Sequence, residues 1–314
     1  MLLFYPLLRV SFLGCLPLVC DKIIRVRAYL ETLRPRQWIK NLVIFAGLVF
    51  DRQLLQLEPL LRVAAAVILF CLVSGLTYTI NDILDVEADR LHPQKKNRPI
   101  ASGRLSLNSA RLLALVLSLF TFPAAFALSI EFGIICLVYT GLMLSYSKWL
   151  KKLILIDVMV IALGFVLRVA AGVMVIKVNY FSPWLFVLTT LLALYLGFGK
   201  RLSEIKLLEN QAGEHRAVLD GYTIPLLNNL LVVVLSGILI TYCLYTFSSH
   251  PDGTNTMMMF TIPFVLYGIF RYMVILQNSS WASSPEEVLL QDLPLKITVG
   301  LWALSVVVVL YLFF

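Results

Sequence analysis

Apolar residues run along this chain in nine long blocks, at about 39–56, 60–81, 111–129, 131–147, 154–176, 183–200, 225–247, 256–276 and 295–314. Several reach the roughly 20 residues that a helix needs to cross a bilayer. Lipid leaves backbone groups no outside partner, so only helices or a closed barrel can span it. The blocks are too long and too uniformly apolar for the alternating strands of a barrel. The pattern therefore predicts an all-α membrane protein of nine transmembrane helices, with residues 30–314 forming one transmembrane domain. Residues 1–29 are read as a separate N-terminal segment. Its first 20 residues are apolar but carry Arg9 mid-way and lack a basic start, which argues for an interfacial helix over a cleaved signal peptide.

Composition agrees: 60% of residues are hydrophobic, only 14% are charged, and the mean hydropathy is +0.88. The placement of the basic residues says more than their number. If the nine blocks are spans, one side carries Lys22, Arg25, Arg27, Arg34, Arg36 and Lys40 before the first helix, and Arg90, Lys95, Lys96, Arg98, Arg104 and Arg111 after the second. The same side holds Lys148, Lys151 and Lys152, then Lys200, Arg201, Lys206 and Arg216, then Lys296. The opposite side holds only Arg52, Arg62 and Lys177. Twenty against three predicts, by the positive-inside rule, that the N-terminus and the basic loops are cytoplasmic and the C-terminus outside. The net charge of +8 follows from that topology together with an anionic substrate and calls for no nucleic acid. Cys15, Cys20, Cys71, Cys136 and Cys243 show no metal-ligand spacing and are read as packing residues without disulfides.

The candidate chemistry begins where the second block ends. Asn81-Asp82-Ile83-Leu84-Asp85-Val86-Glu87-Ala88-Asp89 places three aspartates at spacings of three and four, which a helix stacks on one face. Stacked carboxylates repel unless a cation lies between them. Magnesium fits, because it is usually held by one or two carboxylates together with phosphate oxygens and water. The run Lys95-Lys96-Asn97-Arg98 follows at once between Pro93 and Pro99, offering cations for the phosphates. The alternative, a solvated helix end with incidental acids, conflicts with the dipole that disfavours anions at a helix C-terminus. The pattern predicts a diphosphate site with Asp82, Asp85, Asp89 and Asn81 around the metal and Lys95 and Arg98 on the phosphates.

Other loops on the same side add to it. Tyr146-Ser147-Lys148-Trp149-Leu150-Lys151-Lys152 offers hydroxyl and ammonium donors, although snorkelling lysines beside an interfacial Trp would look alike. Asp157 and Arg168 lie inside an apolar block, where ionisable groups pair with each other or face a cavity. Their spacing of eleven puts them on roughly the same helix face. Gly199-Lys200-Arg201 opens a loop that continues through Glu204 and Arg216 to Tyr222. Arg34-Pro35-Arg36-Gln37-Trp38-Ile39-Lys40-Asn41 leads into the first block as either a surface anchor or part of the site.

The Asn-Asp-x-x-Asp-x-x-x-Asp run after the second of nine helices resembles the UbiA superfamily of intramembrane prenyltransferases. Five further runs resemble its decaprenyl-phosphate phosphoribosyltransferase branch: Arg34-Pro-x-Gln-Trp-x-Lys40-Asn41, His92-Pro-x-Lys95-x-x-Arg98-Pro99, Tyr146-Ser-x-x-Leu-Lys151 with Asp157-Val158, Arg168-x-x-x-Gly172, and Gly199-Lys-Arg-x-x-Glu204 with Arg216-x-Val-Leu-x-x-Tyr222. Together they cover about residues 30–225. The resemblance implies a UbiA-like bundle with a cytoplasmic-side cavity in the bacterial plasma membrane. It implies Mg2+-dependent transfer of 5-phosphoribosyl from 5-phosphoribosyl 1-diphosphate to a polyprenyl (decaprenyl) phosphate, for cell-envelope glycan precursors. The acceptor phosphate is then expected among Lys40, Lys151, Arg168, Lys200, Arg201 and Arg216, with Tyr146 and Tyr222 nearby. Asp157 is left with two roles, binding a ribose hydroxyl or holding Arg168.

The chain departs from ordinary prenyltransferases in lacking a second aspartate-rich motif after the sixth helix. A basic loop there suits a second anionic substrate better than an uncharged acceptor. Transfer of a polyprenyl chain from its diphosphate to an aromatic acceptor is the alternative enzyme. A transporter would call for broken helices in two matching halves, and no internal repeat is visible. Oligomeric state and prenyl chain length are not legible, and a lipid-facing surface is compatible with homo-oligomers.

Overall fold

A computed structural model describes residues 26–92, 95–176, 178, 183–210, 217–248, 257–278 and 285–312. Everything described is helix, turn or loop. A short helix α1 (26–33) leads to a 3-10 helix, Pro35–Ile44, which runs straight into α2 (Phe45–Phe50). Then come α3 (Leu57–Leu84), α4 (Val86–Leu91), α5 (Leu107–Leu128), α6 (Ile130–Lys148), α7 (Ile156–Ile176) and α8 (Pro183–Asn210). The chain closes with α9 (Ile224–Ser248), α10 (Ile262–Asn278), α11 (Pro285–Gln291) and α12 (Leu293–Leu312). The N-terminal segment read as an interfacial helix, and Arg216, lie outside the described residues.

Eight of the nine expected spans are helices long and apolar enough to cross a bilayer among the described residues. The first, expected at 39–56, is not such a helix. It is the 3-10 helix continued by α2, and it ends in turns at 51–56. Pro35 sits in its first turn, where a missing N–H costs nothing. Ten residues at about 2.0 Å and six at about 1.5 Å still cover about 29 Å, close to a bilayer's hydrocarbon thickness. Stretching the turn thus gives sixteen residues the reach of twenty.

Glycine decides where this thin segment lies. A Cβ added at Gly172 of α7 would sit 1.9 Å from the Ile44 carbonyl oxygen, and one at Gly47 would sit 3.2 Å from the Val173 nitrogen. The backbones of α2, the 3-10 helix and α7 therefore touch directly. Arg168, one turn before Gly172, ties the same pair of elements. Its Nε donates to Asn41 Oδ1 (2.8 Å), Nη1 to the Gly164 carbonyl (2.7 Å) and Nη2 to Tyr139 Oη (2.8 Å), with Phe70 and Phe165 rings beside the guanidinium.

Two apolar cores flank this seam. One joins α3, α6 and α7 around Phe70, Phe132 and Tyr139. The other joins α8, α9 and α10 around Tyr195, Leu227, Leu231 and Tyr272. Neighbouring long helices alternate in direction, so the C-terminal ends of α3, α6 and α8 meet the N-terminal ends of α7 and α9 at one end of the bundle. That end gathers the candidate chemistry.

Candidate active site

The aspartate run does not form one straight helix. Asp85 breaks the turn between α3 and α4 with φ −94° and ψ 8°, although its N–H still reaches the Asn81 carbonyl (2.9 Å) and its carbonyl still accepts from Asp89 N–H (2.8 Å). The kink turns Asp82 and Asp89 inward, at 2% and 3% exposure, and leaves Asp85 half-buried toward the opening. Asn81 sits half-buried beside them.

Arginines occupy the space between the inward acids. Arg98 Nη1 donates to both Asp82 Oδ1 (3.0 Å) and Asp89 Oδ2 (2.6 Å). Arg34 Nη2 donates to Asp82 Oδ1 at 2.5 Å, and its guanidinium lies 4.7 Å from the centre of the Tyr78 ring. Arg34 holds a left-handed backbone, φ 52°, at the N-terminal boundary of the 3-10 helix. That strained conformation turns the chain into the 3-10 segment directly beside Asp82. On the outer side, Lys151 Nζ stands 3.7 Å from Asp85 Oδ2.

These residues fit a divalent cation. Among the described residues no three acids, histidines or cysteines converge closely enough to enclose an ion unaided. The donor set is nonetheless that of a hard-cation site: three neighbouring carboxylates, two of which spend one oxygen on arginine and keep the other. Such a set needs phosphate oxygens and water to complete an octahedron, which is how magnesium is usually bound.

A second buried polar group lies one loop away. Asp157, fully buried in the first turn of α7, accepts from Arg201 Nε at Oδ2 (2.7 Å) and from Tyr222 Oη at Oδ1 (2.7 Å). Arg201, 1% exposed, also donates Nη1 to Glu204 Oε2 (2.5 Å), and Tyr146 lies within its electrostatic reach. Burial, aided by the bond to Asp157, pushes the Tyr222 phenol up, so it remains a donor at any physiological pH.

An apolar cavity of about 510 Å³ opens between the 3-10 helix, α7, α8, α9, α10 and α12. Phe165, Tyr195, Tyr272 and Trp302 are among its walls, and Lys40 is the only charged residue among the described ones that line it. Lys40 Nζ donates to Gln37 Oε1 (2.7 Å). A greasy chamber with a single ammonium suits an amphiphile with an anionic head.

The pattern of the UbiA prenyltransferase family matches residues 42–280. The chain belongs to this family. It is 31% identical over 296 residues to a decaprenyl-phosphate phosphoribosyltransferase of Mycolicibacterium smegmatis, covering 88% of this chain and 90% of that one. It is 29% identical over 289 residues to the enzyme of the same name from Mycobacterium tuberculosis, covering 90% and 93%. Among solved structures, a UbiA homolog from Archaeoglobus fulgidus bound to GPP and Mg2+ matches with a TM-score of 0.66 at 19% identity, over 89% of this chain and 98% of that one. Eight apolar helices and family membership make this an integral membrane protein.

Within this UbiA bundle the expected residues divide into two groups. Asp82, Asp85, Asp89, Arg98 and Lys151 meet in one place, with Asn81 one residue before Asp82, while Lys40 lines the apolar cavity. Lys95 caps the turn after α4, where its N–H bonds His92 Nδ1 (3.2 Å), and Lys200 is half-buried on α8. Asp157, Arg201 and Tyr222 bond to one another instead. Of the two roles open for Asp157, holding Arg168 is not the one the structure shows, since Asp157 bonds Arg201 and Tyr222. Eleven residues return a side chain to the same face but move it about 16 Å along the axis, far beyond ion-pair reach. Arg201 is not an open phosphate donor, since Asp157 and Glu204 hold it. Two residues carry more than the sequence assigned them. Arg34 belongs to a run open to two readings, surface anchor or part of the site, and the structure sets it against Asp82. Glu204 was legible as an i,i+3 partner of Arg201.

Proposed function

We propose that this protein transfers 5-phosphoribosyl from 5-phosphoribosyl 1-diphosphate to a polyprenyl phosphate, decaprenyl phosphate being the acceptor its relatives' names indicate, with release of diphosphate. The observation that carries this reading is similarity over nearly the whole chain to proteins named for that reaction. Two features are compatible with it: acids and arginines cluster where a diphosphate could bind, and an apolar chamber carries one ammonium, Lys40, among its described walls.

Asp82, Asp85 and Asp89, with Asn81, would hold Mg2+, which when bound offsets the negative charge gathering on the departing diphosphate. Arg98 and Arg34 reach the same volume, and both can pass from carboxylate to phosphate oxygen with little movement. They then stabilise the leaving group as its charge grows, and removing one such donor typically costs about 3–4 kcal/mol of barrier. Lys151, beside Asp85, would fix the donor's 5-phosphate together with Lys95. Lys40 is placed to take the acceptor phosphate while the isoprenoid tail fills the chamber. One anionic acceptor oxygen attacks C1 of the ribose as the C1–O bond to diphosphate breaks. An in-line attack inverts C1 and gives the β anomer. The nucleophile is already an anion at neutral pH, so no general base is required, in keeping with a chain that has only three histidines. The charge asymmetry of the loops supports an N-terminus and site on the cytoplasmic face and a C-terminus outside.

The test is a transfer assay on purified protein with Mg2+, labelled phosphoribosyl diphosphate and decaprenyl phosphate, with Asp85→Ala alongside. A labelled lipid that disappears with the variant and with chelator is the expected result. Turnover of a prenyl diphosphate with an aromatic acceptor, and none with phosphoribosyl diphosphate, would replace this reading with conventional prenyl transfer.

A further inference from the structure

The connection between α6 and α7 carries Lys151 and ends in a conformation that its sequence does not favour. Leu155 has φ 66°, in the left-handed region that a leucine rarely enters without outside support. The support is visible. The Leu155 N–H donates to Tyr222 Oη (2.8 Å), and that same hydroxyl donates to Asp157 Oδ1 (2.7 Å). Asp157 is in turn fixed by Arg201 (2.7 Å). Each group in this chain is saturated by the next, so the phenol stands where one position of the turn satisfies both its bonds. Packing reinforces the contact: a Cβ at Gly221 would lie 1.9 Å from Ile154 Cδ1, so the backbone just before Tyr222 rests on the residue just before Leu155. Lys151 stands four residues upstream of the held turn, in the 3-10 turn Leu150–Lys152, and points its ammonium at Asp85.

We propose that Tyr222, backed by the Asp157–Arg201 pair, is a positioning residue that sets Lys151 against Asp85 by holding the left-handed turn at Leu155. Asp157, Arg201 and Tyr222 accordingly act on the reaction through the turn, without touching substrate. The arrangement couples two loops far apart in sequence. Among the described residues, the stretch after α8 is tied to the aspartate site through its grip on the stretch after α6.

The kinetic arm rests on the phosphoribosyl-transfer reading, and a structural arm is independent of it. Tyr222→Phe keeps the ring and removes the hydroxyl, and is expected to raise the donor KM about tenfold with a smaller change in kcat, the scale of one lost hydrogen bond to a charged group. Leu155→Gly in the same background should restore most of that loss, because glycine adopts a positive φ without the tie. In a Lys151→Ala background Tyr222→Phe should have almost no further effect. Independently, deuterium exchange of the peptide 149–157 should speed up in Tyr222→Phe and slow again with Leu155→Gly. Multiplying effects of Tyr222→Phe and Lys151→Ala, or no rescue by Leu155→Gly, would show a direct role for the phenol and overturn the proposal. So would unchanged exchange. If the wild-type protein transfers no phosphoribosyl group, the proposed reaction fails, and the exchange measurement still decides whether Tyr222 holds the turn. Should Tyr222→Phe not fold, Leu155→Gly alone must leave exchange and donor KM near wild type, and a tenfold KM rise there would refute the mechanism.

Discussion

Replacing Gly172 by alanine adds one methyl group where the structure has no room for it. The new Cβ would lie 1.9 Å from the Ile44 carbonyl oxygen, and real contacts of this kind essentially never fall under 3.0 Å. The 3-10 helix must therefore retreat from α7 by at least 1.1 Å, the difference between those distances. The obstacle is backbone, so no side-chain rotation relieves it. Overpacking of a core typically costs about 1–3 kcal/mol, and the upper end applies here. The retreat also stretches the 2.8 Å bond from Arg168 to Asn41 and shifts both Arg34 and Lys40, which the same segment carries. Misplacement by about 1 Å can cost about 100-fold in rate. The expected outcome is a Tm lowered by several degrees in detergent and a transfer rate down about 100-fold, with the protein still inserted. Melting and turnover measured on the same preparation separate the two effects. A Gly172→Ala protein with wild-type turnover would refute the view that this backbone contact sets the position of the site.

Arg98→Gln removes the cation shared by Asp82 and Asp89. Donor KM should rise tenfold or more while Mn2+ binding without donor, followed by paramagnetic resonance, becomes stronger, because the ion no longer competes with a guanidinium; unchanged values of both would discount the role of Arg98. Asp157→Leu leaves Arg201 with Glu204 as its remaining acid and unbonds Nε, and should cost about 1–3 kcal/mol of stability, whereas Asp157→Leu with Arg201→Met should recover most of it, as read by thermal unfolding. Glu31 supplies a pH test. Burial raises its carboxyl, but bonds from Arg104 (2.6 Å) and Arg27 (2.8 Å) outweigh that and hold it below the usual 4.5. A lowered folded value means that the stabilisation is complete above pH 4.5 and is lost as pH falls through the folded value. Wild type should therefore lose Tm on acidification below 4.5 more steeply than Glu31→Gln.

The membrane class and the helix ends were readable because each rests on local chemistry: apolar length gives a span, and a charge at its end marks the interface. The first span failed as an α-helix for a reason no window of hydropathy contains. Gly172, well over a hundred residues later, lets the backbone of Ile44 approach closely enough for a thin 3-10 segment to be the better fit. The acidic centre was legible as a set of residues and not as an arrangement. Stacking at i, i+3 and i+7 assumed a straight helix, and the break at Asp85 leaves that acid half-buried while the other two are buried.

The basic residues teach the sharper lesson. From sequence, Arg98 is assigned to the donor's diphosphate, and Arg168 and Arg201 alike to the acceptor phosphate. In the structure their partners divide them. Arg98 faces acids that a ligand can also use, Arg168 is enclosed by neutral oxygens and rings, and Arg201 is spent on Asp157 and Glu204. Residue type and membrane depth are the same in kind for the last two, so only long-range pairing could separate a ligand-facing cation from a structural one. A buried guanidinium left without an acid costs several kcal/mol, and Arg201 meets that need with Asp157 and Glu204, whereas Arg168 bonds to the neutral Asn41, Gly164 and Tyr139. Arg201 is hence the arginine least able to bind substrate. The half-exposed set, Arg34, Arg98 and Lys151, is where exchange of a protein carboxylate for a substrate phosphate is physically inexpensive, and the search for phosphate contacts belongs there.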